Sequence, residues 1–407
     1  MRIFIATAGY YPAMNGQAVF TTNLAEGLAR RGHTVMVVVD SQEGKASRVM
    51  LNGVMVVKLR AIRLNIFNAG VYFTPNPRRY VRQLMDEFKP DIVHIQDHYP
   101  ICQVAVNAAR KRGIKIIGSN HFVPENFAPY IPLLFLIKPA IFWLFWQWML
   151  MVYRPAEVIT AQSRAAAEIV KHAGWRKPIL PISCGIDLDR YYPDQGEKRS
   201  YYRQRYRLDQ DKKIFLFLGR VDGEKRIDLL LQAMKKLTRQ DIQLAIAGKG
   251  RVERDIRGLV EKYSLDNRVR LTGFIPEEDV RGLLNCIDVF VMPSEAELLS
   301  ISTLEAMACG KPVLLTDALA LPELVKDGEN GYVFMPGNVD DLVRLMNRMA
   351  DNQDRWAEMG AASRRMASQH SLQDTISKFE NLYRRLVDAI PLSEPELLVK
   401  ETISTRE

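Results

Sequence analysis

Along this chain, short apolar runs alternate with stretches whose apolar residues recur at helical spacing. Runs of strand length fall at residues 3–6, 35–39, 54–59, 92–95, 114–118, 158–161 and 179–182, and a helical pattern over 19–31 separates the first two. Strand-length runs separated by amphipathic helices predict a parallel sheet with helices on both faces. The alternation lapses over 187–207, which is polar, rich in charge and tyrosine, and carries Pro193. It restarts with runs at 214–218, 244–247, 269–271, 289–292, 313–315 and 331–334. The reading is therefore α/β with two doubly wound, Rossmann-like units, 1–200 and 201–371. A helix over 372–390 closes the folded chain, and 391–407 reads as a polar tail. At 407 residues the chain is longer than one core usually serves, which agrees with two domains.

One stretch breaks the rhythm. Residues 130–154 are almost wholly apolar, but Lys138-Pro139 cuts them in two, and the longer piece, 140–153, makes a helix of roughly 20 Å against a hydrocarbon core of ~30 Å. A crossing is not expected. Trp143, Trp146 and Trp148 suit the headgroup level of a membrane, which makes this segment an expected membrane contact. The competing reading is a buried core helix.

Composition narrows the classes. Hydrophobic content of 47% and charge of 25% belong to a globular protein. Cys102, Cys184, Cys286 and Cys309 are widely spaced and stand beside no histidine cluster, so neither a zinc site nor a disulfide framework is expected. The N-terminus enters a strand-like run without the pattern of a signal peptide, which points to a cytoplasmic protein. Charge is uneven: residues 1–199 hold 25 Lys/Arg against 14 Asp/Glu and the rest 31 against 33, or about +11 and −2. A basic half suits anionic lipid, nucleic acid or plain solubility. No recognition helix, zinc finger or RNA-binding signature accompanies it, so nucleic acid is not an expected partner.

Candidate chemistry gathers at strand ends. Pro293-Ser-Glu-Ala-Glu297-Leu-Leu299-Ser300-Ile-Ser302-Thr-Leu-Glu305-Ala-Met-Ala-Cys-Gly310-Lys-Pro312 follows an apolar run and reads as loop, then short helix. Ser302 with Glu305 has capping-box spacing, Gly310 suits a helix end and Pro312 stops continuation. The amides of Leu299 and Ser300 lie near a positive helix end, with Glu297 and Glu305 eight residues apart: a place to hold an anion and hydroxyls together. As an ordinary helix start, its glutamates would only suit the dipole. After run 214–218 come Gly219-Arg220-Val-Asp-Gly223-Glu224-Lys225-Arg226, cations on a glycine-permitted turn able to clamp a diphosphate. Gly16 closes a loop before the first helix, at the sheet edge where ligands bind. Two further strands end in polar clusters, Asp91-Ile-Val-His94-Ile-Gln96-Asp97-His98 and Gly118-Ser-Asn-His121-Phe-Val-Pro-Glu125. His94 lies within its strand and reads as core; His98 and His121 follow the strand ends, where a functional role is open. Asp187-Leu-Asp189 and Asp209-Gln-Asp211 match a metal-chelating tripeptide, but both lie in the junction and are discounted.

Together these residues resemble the retaining nucleotide-sugar glycosyltransferases of family four, over nearly the whole chain. The most specific match is Glu297, seven residues, Glu305, then Ala-Met-Ala-Cys-Gly310-Lys-Pro312. Asn15-Gly16, Gly32-His33, Pro90-Asp-Ile-Val-His94, Gly185-Ile-Asp187, Gly219-Arg220 with Glu224-Lys225, Gly273-Phe274 and Asn330-Gly331 follow in order. The resemblance implies the GT-B fold, its two units facing across a cleft and the helix 372–390 packing back toward the first. It implies that Arg220 and Lys225 bind the donor diphosphate, helped by amides at Gly16, Leu299 and Ser300. Glu305 would take the ribose hydroxyls and Glu297 the sugar hydroxyls. Gln96, His98, His121 and Glu125 would face the acceptor, with Glu297, Arg220, Lys225, His121 and His98 as the catalytic set. Retention by front-face attack implies no metal and no cofactor beyond a nucleotide-sugar co-substrate, a UDP-sugar first. Two departures stand out: Leu298-Leu299-Ser300 replaces the frequent Gly-Phe-Gly, and Gln96 stands where many members carry a second histidine.

Within the family the chain looks closest to enzymes that glycosylate diacylglycerol or phosphatidylinositol, on His121-Phe-Val-Pro-Glu125-Asn126 and the tryptophan-rich segment. The leading expectation is hexose transfer from a nucleotide-sugar to a membrane glycerolipid, by a protein held peripherally on the inner face of an anionic membrane. The alternatives are a soluble transferase with a saccharide or small-metabolite acceptor, and a nucleotide-sugar isomerase or hydrolase on the same fold.

Overall fold

The computed structural model describes residues 1–13, 15–66, 69–124, 138–194, 196 and 198–392. They form two compact units, Met1–Cys184 with the chain from Gln373 onward, and Gly185–Leu372.

Unit 1 runs β1 (Arg2–Thr7), α1 (Gly16–Arg30), β2 (Thr34–Asp40), β3 (Ser47–Leu51), β4 (Val54–Leu59), β5 (Ile62–Ile66), β6 (Ala69–Phe73), α2 (Arg78–Phe88), β7 (Ile92–Ile95), α3 (Pro100–Lys111), β8 (Lys115–Asn120), α4 (Lys138–Tyr153), β9 (Val158–Ala161), α5 (Arg164–His172) and β10 (Ile179–Pro181). Its sheet has the order β10-β9-β8-β7-β1-β2-β4-β3, parallel except for the edge strand β3. Ile3, Phe4, Ile5, Ile92 and Val93 are wholly buried, as strands covered on both faces require. The β3 edge and the separate β5–β6 hairpin answer to no apolar run, because most of β3 is exposed and nothing buried imprints a pattern on it.

Unit 2 runs α6 (Arg199–Arg205), β11 (Lys213–Leu218), α7 (Ile227–Lys236), β12 (Ile242–Ala247), α8 (Glu253–Lys262), β13 (Val269–Gly273), α9 (Glu277–Cys286), β14 (Val289–Met292), α10 (Ile301–Ala308), β15 (Val313–Thr316), β16 (Gly331–Phe334), α11 (Val339–Asp351) and α12 (Trp356–Ser368). Its six-stranded sheet is parallel throughout, in the order β13-β12-β11-β14-β15-β16.

The boundary falls at Cys184, earlier than the 200 expected, because residues 185–200 are bound into unit 2. The Arg364 guanidinium donates to the Ala308 and Leu188 carbonyls at 2.8 and 3.1 Å, and Arg199 pairs with Asp288 at 2.7 Å. Buried Arg203 donates to the Cys286 carbonyl and to Asp288 at 2.9 and 2.8 Å. The last helix, α13 (Leu372–Val387), belongs from Gln373 to unit 1, where Glu380 accepts from Arg31 at 3.0 Å and meets His33 at 3.1 Å.

Candidate active site

In unit 2, β11 leads to β12 on one side of the sheet and β14 to β15 on the other, so the loops after β11 and β14 meet at a topological switch point. Open parallel sheets bind ligands beyond the carboxyl ends of such strands. The loop after β11 holds Gly219, Arg220 and the single turn Gly223–Lys225; the loop after β14 holds Glu297. They are joined by the Ser294 hydroxyl on the Glu224 carbonyl at 3.3 Å, by Lys225 Nζ on Glu297 Oε1, and by Arg226 on Glu295.

Arg220 donates to Asp222 and, at 2.7 Å, to Glu224. Asp222 is buried and also accepts the Arg251 N–H at 2.9 Å. Burial alone would raise its carboxyl, but the Arg251 amide and the Arg220 guanidinium outweigh that and hold it below the ordinary range. Arg251 reaches this point because the loop after β12 lies flat on the loop after β11: a Cβ at Gly250 would stand 2.1 Å from the Val221 carbonyl oxygen.

α10 begins two residues before the expected capping box. Ser300 is the N-cap, its Oγ accepting from Thr303 N at 3.3 Å and from the Thr303 hydroxyl at 2.7 Å. Ser302 therefore lies inside the helix and Glu305 is freed from capping. Gly310, at φ +69°, ends α10 with its N–H on the Met307 carbonyl and the Lys311 N–H on that of Ala306, a Schellman arrangement. Among the described residues the Leu299 and Ser300 N–H groups have no hydrogen-bond partner, and they sit at the positive end of α10. Burial pushes the Glu305 carboxyl up to about 7, while the Tyr191 hydroxyl, hydrogen-bonded to it, acts in the opposite direction.

Unit 1 has its own switch point between β1 and β7. Asp97, just beyond β7, ties the two loops there by accepting from Ala8 N at 2.6 Å, Gln17 Nε2 at 2.9 Å and Tyr99 N at 2.9 Å. Gly16 opens α1 beside the N-cap Asn15, whose Oδ1 accepts from Ala18 N. His121 has both ring nitrogens engaged, Nε2 with Gln96 Oε1 at 2.9 Å and Nδ1 with the Gln162 amide. Burial holds its pKa down at about 3, so it is a fixed neutral group with no free nitrogen to take a proton. His98 is the opposite case: buried, neutral because burial lowers its pKa to about 4, and, among the described residues, without a hydrogen-bond partner at either nitrogen. Tyr99 stacks on its ring at 5.0 Å, and Phe122 and Trp148 meet it edge-on at 4.6 and 4.5 Å. Glu125 lies outside the described residues.

The three tryptophans divide. Trp143 is 59% exposed, whereas Trp146 and Trp148 are partly buried against the unit 1 core. Both DxD tripeptides are local turns: Asp187 accepts from Asp189 N at 3.0 Å and Asp209 from Asp211 N at 2.9 Å. Asp97 and Asp222 lay inside the candidate stretches without a role of their own; Gln162, Tyr191 and Arg251 were not singled out from the sequence, and nothing local to them marks the long-range partners they have here. Among the described residues no group of three or more His, Cys, Asp or Glu side chains is placed to hold a metal ion.

Residues 14–190 match the family model for Glycosyltransferase Family 4, and residues 198–366 the model for Glycosyl transferases group 1. The chain belongs to glycosyltransferase family 4. This family-4 member is 26% identical over 72% of its length to a sulfoquinovosyl transferase of Arabidopsis thaliana, spanning 56% of that protein. It is 24% identical over 92% of its length to the N-acetyl-alpha-D-glucosaminyl L-malate synthase of Bacillus anthracis, spanning 94% of that protein. Its fold is GT-B: the Anabaena protein HepE, solved with UDP, superposes with a TM-score of 0.75 over 94% of this chain and 100% of that one at 18% identity.

Proposed function

We propose that this chain is a retaining hexosyltransferase that moves a sugar from a UDP-sugar to the hydroxyl of a membrane glycerolipid such as diacylglycerol. The lipid acceptor rests on the outward face of α4, where Trp143, Leu144 and Met151 are 59%, 58% and 58% exposed. Large apolar side chains grouped on one face of a surface helix suit an interface, not open water. α3 packs against both α4 and α2, and α2 exposes Arg78, Arg79 and Arg82, which form no ion pair among the described residues. An apolar stripe beside unpaired arginines suits the headgroups of an anionic bilayer, reached peripherally from the cytoplasmic side. No helix among the described residues is long and apolar enough to cross a membrane.

On this reading unit 2 takes the donor. Arg220 and Lys225 exchange their present carboxylate partners for the diphosphate oxygens, and the Leu299 and Ser300 N–H groups add to them. Gly16, at the start of α1, is assigned the same anion-facing role. Glu305 accepts from the ribose hydroxyls and Glu297 from the sugar hydroxyls. As the bond from the anomeric carbon to phosphate oxygen breaks, charge grows on the leaving diphosphate, and these cations and amides answer it without a metal ion. The acceptor oxygen bonds to the anomeric carbon on the same face and its proton passes to a leaving phosphate oxygen. Configuration is retained and no protein base is needed, in keeping with the engaged nitrogens of His121. His98 and Gln96 belong to the acceptor side in unit 1.

The test offers UDP-, GDP- and ADP-hexoses with diacylglycerol in anionic vesicles, and separately with soluble saccharides. A UDP-dependent glycolipid of retained configuration is expected. Transfer to soluble acceptors alone would remove the lipid claim, and equal donor consumption with and without any acceptor would make the chain a hydrolase or isomerase.

A further inference from the structure

The C-terminal helix carries a residue into the heart of the acceptor half-site. Tyr383 on α13 is fully buried, and its Oη lies 2.7 Å from His94 Nδ1. His94 Nε2 lies 2.7 Å from Ser119 Oγ, which is 2.6 Å from Thr160 Oγ1. Both in-plane nitrogens of His94 are thereby used. Gln96 Nε2 stands 3.3 and 3.2 Å from those same two nitrogens, a position that only the face of the ring provides. The contact is an N–H directed at the π cloud, and it orients the amide, since the opposite orientation would press a carbonyl oxygen onto that cloud. Gln96 Oε1 then faces His121 Nε2 at 2.9 Å. A carbonyl oxygen only accepts, so His121 must carry its proton on Nε2 and receive the Gln162 amide at Nδ1. Phe379, one turn earlier on α13, reinforces the stack, lying 5.4 Å from the His94 ring and 5.7 Å from Phe20, which lies 5.1 Å from His121.

We infer that Tyr383 is a positioning residue of the acceptor half-site, acting through His94 and Gln96 to fix the orientation and tautomer of His121. It touches neither substrate. Its importance for turnover rests on the reading that unit 1 takes the acceptor beyond β7 and β8; its effect on the tautomer does not.

Two measurements on the full-length protein separate these. Tyr383→Phe keeps the ring and loses one hydroxyl. With the side chains of the six histidines labelled with nitrogen-15, the wild type should show His121 as a single Nε2–H tautomer, and Tyr383→Phe a mixture. In the transfer assay the variant should raise the acceptor KM about tenfold, the worth of one good hydrogen bond, with donor hydrolysis in the absence of acceptor unchanged. Gln96→Leu breaks the same chain at its middle and should give the same tautomer mixture even if Tyr383→Phe folds poorly; as an acceptor-side residue it is read by the tautomer alone. A lower Tm with the His121 tautomer unmoved in Tyr383→Phe would make Tyr383 a packing residue and overturn the inference. If the tautomer shifts but the wild type glycosylates no acceptor, the positioning stands and the proposed function fails.

Discussion

Lys225 Nζ is hydrogen-bonded to Glu297 Oε1, joining the loop after β11 to the loop after β14 across 72 residues of sequence. With both side chains largely buried, the pair is screened less than a surface ion pair. In the proposed donor site, a diphosphate arriving at Lys225 competes with this carboxylate. Lys225→Ala should therefore weaken UDP binding by about 10- to 100-fold, the range of a charge-assisted hydrogen bond. Glu297→Gln should bind UDP at least as well as the wild type, because the competing charge is gone, and yet lose most sugar transfer. Calorimetry with UDP beside turnover with the full donor reads both. Wild-type UDP affinity in Lys225→Ala would exclude this lysine from the diphosphate site.

The buried Glu305 gives the proposed donor site a pH dependence. Its carboxyl is raised to about 7, chiefly by burial, so it is neutral at pH 6 and ionised at pH 8. Ribose hydroxyls donate better to the anion, so kcat/KM for the donor should rise through pH 7 and level off above it. Tyr191 favours the ionised form; Tyr191→Phe should move that limb to higher pH, and Glu305→Gln should flatten it at a lower plateau. A limb that stays in place in Glu305→Gln assigns the titration to another group.

How much of this was open to a reader of the residues alone depended on how local each feature is. The run 289–292 and the Gly310-Lys-Pro312 stop are local, and strand ends and glycines mark the loops after β11 and β14 that meet at the switch point. The cap was misplaced because Ser302 with Glu305 satisfies the capping spacing as well as the real cap, Ser300, satisfies its own; the burial of Glu305, which decides between them, is tertiary. Tyr383 with His94, Gln162 with His121 and Arg251 with Asp222 are pairs that no local pattern announces. α4 is apolar on nearly every side, so its periodicity gave no face, and Trp143 was not separable from Trp148.

Asp40 predicts how stability changes with pH. It is 4% exposed at the end of β2, where the Thr74 hydroxyl donates to it, and burial, with a smaller contribution from Asp97, raises its carboxyl from 3.8 to about 6. Between those values the folded chain holds a proton that the unfolded chain has released, so stability falls as pH rises through 4–6 and is level above. Two units correspond to about 3 kcal/mol. Asp40→Asn removes the titration, so the difference in unfolding free energy between variant and wild type should shift by up to about that amount in favour of the variant between pH 4 and 7. A difference that stays constant across that range would mean that Asp40 is ionised throughout.

The division of tryptophans on α4 separates the proposed membrane contact from packing. Trp143, Leu144 and Met151 point outward and Trp148 meets His98 at 4.5 Å. Fully burying a large apolar side chain gains about 1.5–3 kcal/mol. Replacing all three outward residues by serine should therefore cut partitioning into anionic vesicles by at least about a hundredfold, with Tm unchanged. Trp148→Ala should do the reverse, lowering stability by up to about 3 kcal/mol, since a partly exposed tryptophan costs less than the 3–5 kcal/mol of a buried one, and leaving vesicle binding of the folded protein near wild type. Neutralising Arg78, Arg79 and Arg82 should remove the salt-sensitive part of binding, about 1 kcal/mol for each cation near an anionic surface. Co-sedimentation at low and high salt measures all three variants. If the serine triple variant still sediments like the wild type, α4 is not the face that meets the bilayer.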